Sequence, residues 1–159
     1  MKPILVDVAG VRSLCQRAFA RCKLKLNQHA ADAISHVIAA AERDGAKSHG
    51  LFRLPGFCAA LLHGKVDPLL QPNVTDAAPS VVLVDGAGGF APPAFAAGRS
   101  LLVAKAKSAG MATMAIRNAC HFSALWFECE ALASEGLISL AFVNSKAFVA
   151  HPGSAEGIA

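Results

Sequence analysis

Apolar residues recur at helical spacing through much of the first sixty positions, and in short continuous runs after position 80. In "NQHAADAISHVIAAAERDG", Ala30, Ala33, Ile34, Val37, Ile38 and Ala41 form one stripe, with Asn27 placed to cap the helix and Gly45 to end it. "VRSLCQRAFARC" has apolar positions at Leu14, Ala18 and Phe19 and predicts a preceding helix. "GFCAALLHG" predicts a short helix closed by Gly64. The period is lost in "KVDPLLQPNVTDAAPS", where Pro68, Pro72 and Pro79 interrupt the chain, and this stretch is predicted to be a connector.

Beyond Pro79 the pattern changes. "SVVLVDG", "MATMAIRN" and "LISLAFVNS" read as strands. "FAAGRSLLVAKAKSAG" and "SALWFECEALASEG" read as helices ended by Gly110 and Gly136. The alternation predicts an α/β lobe and, taken alone, a parallel sheet. The expected organisation is a helical lobe over residues 1–70 and an α/β lobe over 71–159. Three strands make a thin sheet with an exposed edge, and "HPGSAEGIA" offers neither a closing helix nor a partner strand. The second lobe is therefore expected to be part of a larger domain.

Composition sharpens this picture. At 54% hydrophobic and 16% charged, the chain is far from a disordered profile. The apolar excess implies burial against another chain or a further part of the protein. Fifteen Lys and Arg are scattered without a basic run, and no Tyr is available for base stacking, which argues against a nucleic-acid partner. The net charge of +4 suits small anions such as carboxylates or phosphates. No apolar run approaches the ~20 residues of a bilayer span. Asp7 interrupts the apolar start, so no signal peptide is read and a cytoplasmic location is expected. Five cysteines (15, 22, 58, 120 and 129) are odd in number and fit no zinc spacing, as expected for reduced, mostly buried thiols. His29, His36, His63 and His151 have no partner at ligand spacing, and no metal site is expected.

Three stretches remain as candidate chemistry. In "KSHGLFR", Ser48 can cap a helix start with His49 in its first turn; spacing alone allows no more than a capped helix start with a surface His and a surface Arg. The other reading is chemical. On a helix His49 and Arg53 share a face, joining a side chain that titrates near neutral pH to a fork for carboxylates. "VVLVDGAGGF" invites a dinucleotide-loop reading through Gly86, Gly88 and Gly89. However, Ala91 occupies the third glycine position, Pro92 and Pro93 follow, and Lys105 and Lys107 stand where an acidic residue is needed, so a plain turn is expected. "RNACHFSALWFECE" puts Asn118 and His121 between a strand end and a helix start, where α/β proteins place ligands. Phe122, Leu125, Trp126 and Cys129 repeat at helical spacing and read as core.

Together, "KSHGLFRLPGF", "PSVVLVDGAGGF" and "IRNACHFSALWFECEALASEGLISLAFVNS" resemble the malate/L-lactate dehydrogenase-like family of NAD(P)H-dependent oxidoreductases, which is unrelated to the Rossmann-type dehydrogenases. The Ser-His-Gly-x-x-Arg and Asn-x-x-His-Phe blocks, in this order, carry the likeness. "HFSALW" and the following E-x-E-A-L-A-x-x-G-L are most similar to the family's Δ1-pyrroline-2-carboxylate and Δ1-piperideine-2-carboxylate reductases. The resemblance implies an N-terminal helical lobe followed by the first half of a non-Rossmann NAD(P)H-binding α/β domain, built on a mainly antiparallel sheet. It implies that Ser48 belongs to a charge relay, that His49 donates a proton and that Arg53 binds the substrate carboxylate. It implies that His121, Phe122, Ser123, Ala124 and Leu125 line the site of NADPH (or NADH). The implied activity is reduction of a cyclic imino acid. The alternatives are 2-hydroxy acid dehydrogenation, or a truncated, catalytically incomplete remnant. The implied partners are a small carboxylate substrate and a second copy in a homodimer, or a separately encoded C-terminal half. Family members continue into a Gly-Thr-Asn-Pro loop and an Asp-Met-Ala-Thr-Ser block whose aspartate completes the relay; neither is present in this sequence.

Overall fold

The computed structural model describes residues 5–22, 26–144, 149–150 and 157–158. Most of "HPGSAEGIA", His151 included, lies outside them. Three helices come first: α1 (Val8–Arg21), α2 (Gln28–Arg43) and α3 (Leu54–Leu62). Asp7 caps α1 by accepting the Gly10 N–H at 2.7 Å. Asn27 caps α2 by accepting from Ala30 N at 2.9 Å, and Gly45, at φ +71°, follows its end. The stripe read from the sequence is the buried face of α2: Ile34 and Ile38 pack with Val11, Cys15 and Phe19 of α1 and with Phe57 and Leu61 of α3. Burying aliphatic and aromatic side chains of this size contributes roughly 1.5–3 kcal/mol each.

The remaining elements are β1 (Asn73–Ala78), β2 (Val81–Asp85), α4 (Ala91–Ala109), β3 (Thr113–Arg117), α5 (Leu125–Ala133) and the two-residue strands β4 (Val149–Ala150) and β5 (Gly157–Ile158). The main sheet has the order β1-β2-β3. β1 pairs antiparallel with β2, from Asn73↔Asp85 to a break between Asp76 and Ala78. β2 pairs parallel with β3, Val82 opposite Met114 and Val84 opposite Ile116. β4 and β5 pair antiparallel. Helix α4 covers one face of the sheet and buries Val82 and Val84 under Ala94, Phe95, Leu102 and Val103. A Cβ at Gly98 would meet Val84 Cγ2 at 2.7 Å, so the glycine lets helix and sheet approach.

Four expectations change. The connector contains strand β1, whose side chains are nearly all exposed and carry no apolar alternation. The sheet is mixed rather than parallel, because β1 returns through a hairpin at Pro79 and Ser80 while β3 returns over α4. "LISLAFVNS" forms no strand over 137–144. Its alternating Ile138, Leu140 and Phe142 are exposed, and no ladder pairs with them among the described residues. Lys105, noted in place of a dinucleotide-binding acid, is buried and holds the hairpin: its Nζ pairs with Asp76 at 2.6 Å and donates to the Ala78 and Pro79 carbonyls. No described helix is long and apolar enough to cross a membrane.

Candidate functional site

The Ser-His-Gly-x-x-Arg block is not the start of one helix. It forms two single 3-10 turns, Lys47–His49 and Leu51–Arg53, separated by Gly50 at φ −84°, ψ −143°. Ser48 caps nothing, which corrects the sequence expectation. Glu42, near the end of α2, causes the break. Its carboxylate accepts from Leu51 N at 2.7 Å and occupies the space that a Cβ on residue 50 would need. Sequence reading missed Glu42, because its partners lie nine residues away around a turn.

The chemical grouping survives by another route. Ser48 Oγ lies 3.0 Å from His49 Nδ1, which leaves the imidazole Nε2 free. Arg53 Nε donates to the Ser48 carbonyl at 2.8 Å, so the guanidinium stays beside the serine and the histidine and its terminal nitrogens remain unspent. Both His49 and Arg53 are half-buried. No carboxylate pairs with Arg53 among the described residues; Arg12, half-buried on α1, is also without one, whereas Arg43, Arg99, Lys105, Lys107 and Arg117 all have acidic partners.

The second block reaches the same region through two interlocked loops. The glycine-rich turn after β2 bonds to the chain after β3: Gly86 N donates to Arg117 O (2.8 Å), Gly88 N to Asn118 O (2.7 Å), Cys120 N to Gly89 O (2.8 Å) and Ala91 N to Cys120 O (2.9 Å). This turn is therefore satisfied by protein, in keeping with the plain-turn reading. Among the described residues, four non-glycines have left-handed φ: Ala87, Asn118, His121 and Ser123. Three of them fall within six residues of the second block, a concentration of backbone strain typical of functional loops. The His121 ring lies against Phe57, centroids 4.2 Å apart and planes tilted by 32°. Burial holds its pKa below the usual histidine value, and the charges of Arg53 and His49 push in the same direction. His121 thus joins the first block electrostatically. Ser123 is buried with its Oγ unpartnered, Ala124 is the uncapped start of α5, and Phe122 and Leu125 are half-buried beside them.

Some expectations fail here. Phe122, Leu125, Trp126 and Cys129 are half-exposed rather than core, and on α5 only Leu132 is buried. Of the five thiols only Cys15 is buried, while Cys22, Cys58 and Cys129 are half-buried and Cys120 is exposed, so the expected mostly buried cysteines are not found. Glu128 carries a signal the sequence did not disclose: burial pushes its carboxyl up to about 7, and its Oε2 has no partner. The larger crevice, about 440 Å³, lies between α1, α2 and α4 and is lined by Arg12, His29, His36 and Ala97 among others. His49 and Arg53 do not line that crevice. Their chemistry, rather than cavity size, marks the candidate site. No group of three metal-ligating side chains occurs among the described residues.

The fold agrees with the comparisons to known proteins. The family model for malate/L-lactate dehydrogenase matches residues 6–159, and the chain belongs to that family. Within it, the chain is 47% identical over 151 residues to a Δ1-pyrroline-2-carboxylate/Δ1-piperideine-2-carboxylate reductase of Pseudomonas putida, covering 95% of this chain and 44% of the relative. A solved Δ1-piperideine-2-carboxylate reductase from Pseudomonas syringae pv. tomato superposes with a TM-score of 0.80 at 42% identity, over 84% of this chain and 40% of that one. A malate dehydrogenase from Pyrococcus horikoshii superposes at 0.76 with 26% identity, over 84% and 38% respectively. The chain spans less than half the length of the relatives it matches.

Proposed function

We propose that this chain carries the proton-donating and carboxylate-binding half of an NAD(P)H-dependent reductase acting on a cyclic imino acid, Δ1-pyrroline-2-carboxylate to proline or Δ1-piperideine-2-carboxylate to pipecolate. One observation carries the reading. Arg53 is a half-buried cation with no acidic partner among the described residues, anchored through Nε beside His49. An unpaired guanidinium in that state favours a planar carboxylate. The similarity to the named reductases supports the imine over the 2-hydroxy acid.

The chain's own groups do the following. Arg53 grips the carboxylate with its two terminal nitrogens and fixes the face presented, since Nε is already spent on Ser48 O. In the imidazolium form, His49 Nδ1 donates to Ser48 Oγ, and Nε2 holds the proton for the imine nitrogen. A well-placed donor of this kind gives roughly 10²–10⁴-fold in rate. Residues His121 to Leu125 fit the rim of a nicotinamide cofactor site, NADPH in this reading, because a buried unpartnered hydroxyl and an uncapped helix start both need polar partners. When bound, that cofactor supplies hydride. A cytoplasmic location, a boundary near residue 70 and a second copy of the chain belong to this proposal.

The test is turnover of NADPH with Δ1-pyrroline-2-carboxylate or a 2-keto acid, by the purified chain with and without a polypeptide spanning the rest of its relatives. The pair is expected to reduce the imine in preference to the keto acid. Arg53→Lys is expected to raise the substrate KM at least tenfold, as a point charge replaces a fork. Preference for the keto acid, or a Lys variant with native KM, refutes the proposal.

A further inference from the structure

Phe57 lies on α3, four residues after Arg53, the residue at that helix's N-cap. It is fully buried, yet only part of its surroundings are core. One edge meets Phe90 at the start of α4, with centroids 5.1 Å apart at 73°, and another faces Phe19 of α1 at 6.5 Å and 83°. Its remaining face lies against the His121 imidazole at 4.2 Å and 32°, a much flatter and closer arrangement than the other two. Phe90 is itself bridged to Cys120, the residue before His121. Helix α3, the glycine-rich turn and the His121 loop therefore converge on one ring.

We infer that Phe57 is a positioning residue: its flat face fixes the plane of His121 against the helix that carries Arg53, so that the carboxylate end and the cofactor rim are held as one body. This rests on the proposed function for the role of the two ends, but the positioning is a property of the chain itself. An imidazole tilted by 32° against a ring 4.2 Å away has its χ rotation restricted by that contact, and the left-handed φ of His121, +56°, leaves the backbone little freedom to compensate. Helical geometry puts residues 53 and 57 on one face of α3, so movement of either shifts the other. The charged groups acting on His121 are Arg53, from the start of α3, and His49, from the turn before it. A ring that holds the imidazole buried and near them holds its pKa below the usual histidine value.

A residue that merely fills space is replaced tolerably by an aliphatic side chain of similar size; a residue that sets a ring plane is not. The test uses histidine-selective NMR on the 159-residue chain and needs neither cofactor nor turnover, so its failure is separate from failure of the proposed function. In the native chain, ring-to-ring nuclear Overhauser effects between Phe57 and His121 are expected, with His121 titrating below the usual histidine value. In Phe57→Leu and Phe57→Met, the His121 midpoint is expected to rise towards the usual histidine value and its resonances to shift downfield as the ring current is lost. A Leu or Met variant that melts cooperatively but leaves the midpoint and shifts of His121 unchanged overturns the inference. If neither variant folds, the native chain decides: absence of the ring-to-ring effects overturns it, and their presence sustains it.

Discussion

Substituting Ala for Gly86 tests how the two loops of the second block are held together. A Cβ there would meet Ala119 Cβ at 2.8 Å, the Asn118 carbonyl oxygen at 2.9 Å and Ala119 Cα at 3.2 Å. Two of these three are backbone atoms, so no flexible side chain can swing away. The structure can respond in two ways. Parting the loops would sacrifice the four hydrogen bonds that join residues 86–91 to 117–120. At a net ~0.5–1.5 kcal/mol each, that is roughly 2–6 kcal/mol. Keeping them paired and absorbing one methyl costs about 1–3 kcal/mol, the usual range for overpacking. The second is cheaper, so the loops are expected to stay joined and shift, with a loss of about 2 kcal/mol. For a chain of this size that lowers the melting midpoint by roughly 4–8 °C. Thermal unfolding followed by far-UV circular dichroism measures it. The matched control is Gly56→Ala on α3, where no atom lies within 4 Å of the new Cβ and helix propensity favours alanine by roughly 0.5–1 kcal/mol. If Gly86→Ala melts within about 1 °C of the native chain, the loops are not packed as described, and the positioning of Asn118 and His121 by the glycine-rich turn falls with them.

Two further outcomes are expected. Lys105→Met removes the buried cation that pairs with Asp76 and bonds the Ala78 and Pro79 carbonyls; those two residues are exposed, so water can replace the ammonium and the expected cost in urea unfolding is about 0.5–1.5 kcal/mol, and an unchanged midpoint would mean these bonds do not hold the hairpin. Glu128 is raised from 4.5 to about 7 by burial, so the folded chain holds a proton that the unfolded chain releases, and stability contributed by this group is complete below 4.5 and lost as pH rises to 7. Glu128→Gln is expected to flatten that decline in urea midpoints measured across the window; parallel profiles for native and variant chains would show that the carboxyl is solvated.

The contrast between what was legible and what was not follows the range of the forces involved. Asn27 caps a residue three positions away and Gly45 ends the same helix, so α2 could be read locally. β1 could not be read, because its "NVTDAA" has polar residues on both faces and becomes a strand only through the ladder with β2. Residues 137–144 show the converse, since Ile138, Leu140 and Phe142 have the alternation of a strand and no partner among the described residues. The candidate site divides the same way. His49 and Arg53 were linked by helical spacing, yet the helix is absent: Glu42 breaks it at Gly50, and a side-chain bond from Arg53 to the Ser48 carbonyl restores the proximity. A four-residue spacing was therefore a sound guide to nearness and a poor guide to its cause. The approach of His121 to Arg53 had no local signal, because it depends on one buried phenylalanine and on two loops that meet only when the sheet has formed. If this order of dependence is right, local substitutions in residues 47–53 should disturb the first block alone, while damage at Phe57 or Gly86 should reach His121 from a distance.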